Sequence, residues 1–295
     1  MERLKAIQDE LIIASQAWAS GDKIDKVKVK GLRDETARIN HARYLADIPA
    51  YHKLAAEEGC GEDTGIETIK KKLMFSADIF KSYEQSWLDD CDFARMNEWL
   101  STIYHTCIHQ DVNGIRTIDG WIEHLGKVGT HVVYSSGTSG AFSFVPRGVP
   151  DWELSKKANI ACLTPLLARR MGGSMKDRLL ISGMWLMSPD TLARLAGKKG
   201  LSGFDAAFLG FRHGRMGNQA LIEELAPFFH RNFFLYNTDI TGTALRCLRR
   251  GVLTEEEAGL VQRLREEIIE RNEENYLSFI DNIRKSSGEG RKVFI

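Results

Sequence analysis

The chain has 295 residues, and its 40 Lys and Arg side chains are balanced by 40 Asp and Glu, so the formal net charge at pH 7 is zero. This balance argues against a protein whose main task is electrostatic binding to nucleic acid or to an anionic membrane. No long apolar run follows the charged first residues, so neither a signal peptide nor a membrane span is predicted.

The first 130 residues show helical periodicity in their apolar side chains. Helices are predicted over residues 4–20, 32–47, 51–58, 92–106 and 117–126. Gly21 ends the first of these, a polar and Lys-rich loop is predicted over residues 21–30, and Thr117 is the predicted N-cap of the last. We therefore predict a mainly helical N-terminal region over residues 1–130.

From residue 131 onward, short β-branched or apolar runs alternate with helical patterns. Strands are predicted over residues 132–134, 178–182, 204–211 and 232–236, and helices over residues 151–171 and 218–229. Asp151 is expected to cap the first of these helices, and the Gly172–Gly173 pair is expected to close it. This alternation predicts an α/β fold over residues 131–295, with a mostly parallel sheet that has helices on both faces.

The C-terminal part begins with a predicted capping box formed by Thr254 and Glu257. It opens a long amphipathic stretch that runs to about residue 284, with a possible break near Asn272. Its apolar face is predicted to contain Val261, Leu264, Ile268, Tyr276, Ile280 and Ile283. The alternating charges favour a solvated outer face over a coiled coil. The final Val293–Ile295 resembles the start of a buried strand, which predicts that the chain is the N-terminal part of a longer protein.

The most informative segment of the chain follows the predicted strand over residues 132–134. It contains only small polar residues and glycines, namely Ser135, Ser136, Gly137, Thr138, Ser139 and Gly140. Glycines let a backbone approach a ligand closely, exposed N–H groups form a nest for an anion, and hydroxyls add donors. The loop has neither the Walker nor the dinucleotide-binding pattern. It predicts a polyphosphate site, with an ordinary solvated turn as the alternative.

The string from Tyr134 to Gly140 resembles the signature loop of the adenylate-forming superfamily, the acyl-CoA synthetases and their relatives. In that family the loop folds over the phosphates of ATP. The usual Gly-x-Pro-Lys continuation is interrupted here by residues 141–145, before Pro146 and Arg147. This insertion, together with residues 48–59 and 75–83, makes the chain similar to the acyl-protein synthetases of bioluminescence operons. The resemblance covers roughly residues 45–150.

The resemblance implies a ligase that uses ATP, with Mg²⁺ carried on the nucleotide. A fatty or aromatic carboxylate would attack the α-phosphate, pyrophosphate would leave, and the acyl group would pass to the thiol of CoA or of a protein cysteine. The substrate supplies the nucleophile, so no Ser-His-Asp set is expected, and the protein mainly positions groups and stabilises charge. In that family, the motifs that bind adenine, ribose and Mg²⁺ and the lysine of the C-terminal domain lie downstream of the region that this chain resembles. The catalytic residues are therefore unknown. The resemblance predicts that these 295 residues alone do not complete catalysis.

Four basic residues are weaker candidates for binding phosphate or substrate. Lys81 lies within the family-like segment and Arg147 follows the insertion, while Arg212 and Arg215 lie among glycines after a predicted strand. A basic surface turn is the alternative for the last two. Residues 236–243 form a second polar segment, in which a helix N-cap at Asp239 or Thr241 explains the composition equally well.

Histidine and cysteine patterns predict no metal site. His105 and His109 would share a face if their segment were helical, but no third ligand is identifiable, and His131 is expected to be structural. The five cysteines are scattered without a C-x-x-C pair, which is typical of reduced thiols and predicts a cytoplasmic protein.

Three interpretations of the whole chain remain open. The first is an ATP-dependent acyl- or aryl-activating protein, with no nucleic-acid partner and with a homo-oligomer allowed. The second is an incomplete or non-catalytic homologue that binds a nucleotide or a partner protein. The third is an α/β protein whose Ser/Gly loop holds another phosphorylated ligand.

Overall fold

The computed structural model of the chain describes residues 2–74, 77–135, 141–171, 204–214, 222–223, 226, 229–248 and 253–295. They form a mixed α/β protein with two compact units that alternate along the chain. The first unit comprises Met1–Arg116, Gly120–Val132 and Ala141–Gly172, and the second comprises Thr117–Asp119, Val133–Gly140 and Gly173–Ile295. The predicted division at residue 130 is not tested by these observations and stays a prediction.

Helices dominate the chain before the first strand. They are α1 (Glu2–Ser20), α2 (Lys26–Asp47), α3 (Pro49–Glu57), α4 (Ile66–Lys72), a 3₁₀ helix (Ala77–Lys81), α5 (Gln85–Asp89), α6 (Phe93–Ile103) and α7 (Ile118–Lys127). The predicted loop over residues 21–30 is wrong from Lys26 onward. Asp25 accepts hydrogen bonds from the N–H groups of Val27 and Lys28, at 2.9 and 3.0 Å, and so starts α2 six residues earlier than predicted.

Two segments of the family-like region have clear structural roles in the first unit. Pro49 occupies the first turn of α3, and the buried Tyr51 hydroxyl lies 2.8 Å from Nδ1 of His41. His41 Nε2 lies 2.8 Å from the Gly61 carbonyl, which can only accept, so Nε2 carries a proton and donates to it. In the second segment, Tyr83 is buried and donates to the Phe142 carbonyl at 3.0 Å.

An aromatic core holds the first unit together. Trp121 stacks on Phe93 with ring centroids 5.3 Å apart and meets Phe144 edge-on at 5.4 Å. Its indole N–H donates to Asn97 Oδ1 at 2.8 Å, which satisfies the polar end of a fully buried ring. Phe142 and Phe144 come from the insertion after the Ser/Gly loop, so this departure from the family pattern contributes core side chains.

The strands form two separate sheets within the described residues. Strand β1 (Thr130–Ser135) pairs with β2 (Ser143–Gly148), which was not predicted, and α8 (Val149–Met171) follows. Because α8 begins at Val149, Asp151 lies in its first turn and is not the predicted N-cap. The expectation that β1 belongs to the parallel sheet is therefore wrong for the described part of the chain.

The parallel sheet belongs to the second unit and has the order β4-β3-β5. Strand β3 (Phe204–Gly214) lies between β4 (Asn232–Ile240) and the short β5 (Lys292–Phe294), and both pairings are parallel. The predicted parallel arrangement is confirmed at this coarse level. The predicted strand over residues 178–182 and most of the predicted helix over residues 218–229 lie outside the described residues.

The helices after β4 are α9 (Gly242–Cys247), α10 (Glu255–Arg265), a π-helical segment (Glu266–Glu270) and α11 (Asn272–Gly288). The predicted capping box of Thr254 and Glu257 is present at the start of α10. Helix α11 packs on one face of the sheet through Phe279 and Ile283, against Leu235 and other residues of the strands. No helix of the described chain is both long enough and apolar enough to span a membrane.

A buried carboxylate joins the amino ends of the three parallel strands. Asp205 on β3 is fully buried and accepts hydrogen bonds from Arg231 Nε at 2.9 Å, Arg291 Nε at 3.0 Å and Ser286 Oγ at 2.6 Å. Burial alone would raise the pKa of Asp205, but the hydrogen bonds from these three residues outweigh it and lower the pKa to about 2. The cluster fixes β3 against the residues that precede β4 and β5.

Candidate functional site

The end of β1 carries the first residue of the Ser/Gly loop. Tyr134 is buried and Ser135, the last residue of β1, is exposed. The other predicted phosphate-binding residues lie outside the described part of the chain, namely Ser136, Gly137, Thr138, Ser139 and Gly140. The strand-then-loop order that the sequence predicts is therefore present up to Ser135.

The turn after β4 packs directly against the end of β1. A Cβ atom added to Gly242 would lie 2.8 Å from Ile118 Cγ2 and 3.4 Å from Tyr134 Cζ, so only glycine permits this approach without a shift of Ile118. Thr241 caps α9, since its hydroxyl accepts from the Ala244 N–H at 3.0 Å. The polar segment over residues 236–243 thus ends in a turn that packs against Tyr134, within the second unit.

Asp119 holds this turn in place. Its Oδ1 accepts from the Gly242 N–H at 3.0 Å, and its Oδ2 accepts from the N–H and the hydroxyl of Thr243 at 3.2 and 3.3 Å. Sequence reasoning did not single out Asp119, because an acidic residue in the first turn of a helix is adequately explained by the helix dipole. Its partners lie more than 120 residues downstream, so no local signal could reveal them.

Polar side chains also gather at the carboxyl ends of β3 and β4. His213 pairs in register with Asp239, and both are exposed. Glu223 Oε1 accepts from the Gly214 N–H at 3.0 Å and lies 3.5 Å from His213 Nδ1. In open parallel sheets, ligands bind beyond the carboxyl ends of the strands, so this edge is the candidate functional site of the second unit.

The weaker basic candidates that the structure describes are divided between the two units. Lys81 lies in the 3₁₀ helix of the first unit, 3.9 Å from Asp78. Arg147 lies on β2 in the same unit, with a buried Nε that has no hydrogen-bond partner among the described residues. Arg212 is exposed on β3 in the second unit, and Arg215 lies outside the described residues.

The predicted histidine pair does not form on a helix. Helix α6 ends at Ile103, so His105 and His109 follow it and do not share a helical face. His131 stacks on Trp152 with ring centroids 5.4 Å apart, which gives it a packing role. Across the described ranges, no group of three or more His, Cys, Asp or Glu side chains is arranged to hold a metal ion.

No family model, curated protein or solved structure matches this chain. Function must therefore be inferred from the sequence pattern and from the geometry of the two units.

Proposed function

We propose that this protein binds ATP and activates a fatty or aromatic carboxylic acid as an acyl-adenylate for transfer to a thiol, with residues 135–140 contacting the phosphates. One observation carries the proposal. Gly242 packs against Tyr134, which brings the strand that leads into the Ser/Gly loop to the turn at the carboxyl end of β4. The residue that precedes the Ser/Gly loop is thus a neighbour of the second polar segment, which supports a shared anion site.

The electrostatic setting supports this placement. The amino edge of the parallel sheet is occupied by the Asp205 cluster, whose carboxylate is buried and already hydrogen-bonded. The carboxyl edge carries the exposed His213 and Asp239, and the end of β1 carries the exposed Ser135. Because bound ligands need groups that are still accessible, the carboxyl edge is the better location for a nucleotide.

The chain's own groups would act mainly by positioning. Backbone N–H groups and hydroxyls of residues 135–140 would donate to the phosphate oxygens, and Asp119 would keep the neighbouring turn fixed through its three hydrogen bonds. Mg²⁺ would arrive on the nucleotide, where it supplies charge neutralisation. The attacking oxygen comes from the acid and the acceptor sulfur from the thiol, so the chain's residues orient reactants and exclude water.

The proposal is tested by removing the two central hydroxyls of the loop. In the double variant Thr138→Ala/Ser139→Ala, we expect the dissociation constant for ATP, measured by calorimetry, to rise. Each lost hydrogen bond to a charged phosphate corresponds to about 1.5–3 kcal/mol, or roughly tenfold to over a hundredfold in affinity. Unchanged ATP affinity in a folded double variant would refute the assignment.

A matched control is offered by α11. The double variant Ser278→Ala/Ser287→Ala removes two exposed hydroxyls from that helix and should leave ATP affinity unchanged. Acid-dependent exchange of pyrophosphate into ATP, measured with fatty and aromatic acids, separates an activating enzyme from a homologue that only binds nucleotide. ATP binding without exchange would favour the binding protein.

A further inference from the structure

Helix α11 has an apolar face that nothing in the described chain covers. Its inner face packs on the sheet through Phe279 and Ile283. On the outer face, Tyr276, Leu277 and Ile280 are 43, 57 and 39% exposed. The sequence pattern placed Tyr276, Ile280 and Ile283 on one buried stripe. That prediction is wrong for Tyr276 and Ile280, because the face that packs on the sheet through Phe279 and Ile283 lies about a sixth of a turn away.

Side chains four residues apart are neighbours on a helix surface, so these three residues form one continuous stripe. Scattered apolar residues on a surface need no explanation, whereas a contiguous stripe on one helix indicates a contact. The charged residues on either side of the stripe indicate which molecule binds to it.

Charged side chains of opposite sign flank the apolar stripe on the outer face of α11. Glu273 precedes the apolar stripe and Arg284 follows it, and both are exposed. Asp281, next to the stripe, lies 3.4 Å from the Arg284 guanidinium in a pair that is 75 and 72% exposed.

We propose that the outer face of α11 binds the same face of a second copy of this chain, with the two helices antiparallel. A two-fold axis between Leu277 and Ile280 places each of these residues opposite the other one in the second copy. The same axis places Glu273 opposite Arg284 of the second copy. A two-fold interface must be self-complementary, and this order of charges and apolar groups meets that condition.

The charges also distinguish between the two possible relative directions of the helices. A parallel arrangement would instead place Glu273 beside Glu273 and Arg284 beside Arg284, which like-charge repulsion disfavours. The charges therefore select the antiparallel dimer.

The contact is small. About three helical turns per copy bury less than about 1,200 Å² in total, which lies at the low end for specific interfaces. We expect a reversible dimer with a dissociation constant on the order of 10–100 µM. This constant should be the same with and without nucleotide.

Sedimentation equilibrium of the full chain over a concentration range that spans this constant tests the proposal. The wild type should change from monomer to dimer, and Leu277→Lys should weaken the dimer at least tenfold because it places a charge in the apolar centre. The matched control Ile13→Lys alters a 50% exposed aliphatic residue on α1 and should leave the equilibrium unchanged. Circular dichroism confirms that each variant is folded.

A charge exchange makes the test specific. Glu273→Arg alone and Arg284→Glu alone should each abolish the homodimer, because each places like charges in contact at both ends of the interface. An equimolar mixture of the two variants should restore dimers, since every contact then joins opposite charges. A wild type that stays monomeric throughout, or a dimer that is insensitive to Leu277→Lys and to charge exchange, would overturn the proposal.

Discussion

The substitution Asp205→Asn tests the buried cluster at the amino edge of the sheet. The side chain is fully buried and accepts hydrogen bonds from Arg231, Ser286 and Arg291. Asparagine keeps the shape but removes the charge, and its amide nitrogen cannot accept from a guanidinium. Breaking a buried ion pair leaves uncompensated charge and costs about 3–5 kcal/mol, so we expect the free energy of unfolding at pH 7 to fall by about 3 kcal/mol.

The pH dependence has a definite sign. The folded pKa of Asp205 is lowered from 3.8 to about 2, so the carboxylate stabilises the fold at all pH values above about 4. That contribution, about 2 kcal/mol, is lost as the pH falls from about 4 to about 2, because the unfolded chain binds the proton first. In Asp205→Asn this part of the acid destabilisation should be absent.

Urea unfolding at pH 7 and at a series of acidic pH values measures both effects. The control Glu274→Gln removes an exposed partner of Arg271 at 3.2 Å and should change the free energy of unfolding by less than about 0.5 kcal/mol. If Asp205→Asn were as stable as the wild type at pH 7, and lost stability in acid along the same curve, the argument from the buried cluster would be wrong.

Two further substitutions test close packing. Gly242→Ala should lower the free energy of unfolding by about 1–3 kcal/mol in the same urea assay, because the added Cβ would lie 2.8 Å from Ile118. The control Gly259→Ala lies in α10, where an added Cβ has no atom within 4 Å. It should raise the free energy of unfolding by about 0.5–1 kcal/mol. Phe144→Ala should cost about 3–5 kcal/mol, since the ring is fully buried against Trp121, and a loss below about 1 kcal/mol would contradict the described core.

The sequence predicts those elements whose signals are local. The capping box at Thr254 is a contact between residues three positions apart, and it forms as predicted. The β-branched run before Ser135 forms β1, and Gly21, at φ 86°, follows the end of α1. In each case the residues that carry the signal also make the contact, so tertiary packing has little to add.

The wrong predictions arise where tertiary contacts decide. Strand β2 was not predicted because residues 143–148 are a short run that contains Pro146, and burial of Phe144 in the aromatic core stabilises it. The buried face of α11 could not be chosen from periodicity alone, since both faces carry apolar residues and only the sheet determines which is covered. The start of α2 was placed late because Asp25 was counted as part of a polar loop.

The two edges of the parallel sheet use polar residues in opposite ways. At the amino edge, Asp205 is buried and its hydrogen bonds are made within the fold, so it stabilises without offering a group to a ligand. At the carboxyl edge, Asp119 uses its carboxylate to fix the turn after β4, while His213 and Asp239 stay exposed. A site needs rigid support beneath accessible groups, and the carboxyl edge has both. This contrast makes the proposed nucleotide site specific to one edge, and it requires that substitutions in the Asp205 cluster change stability without changing ATP affinity in the folded protein.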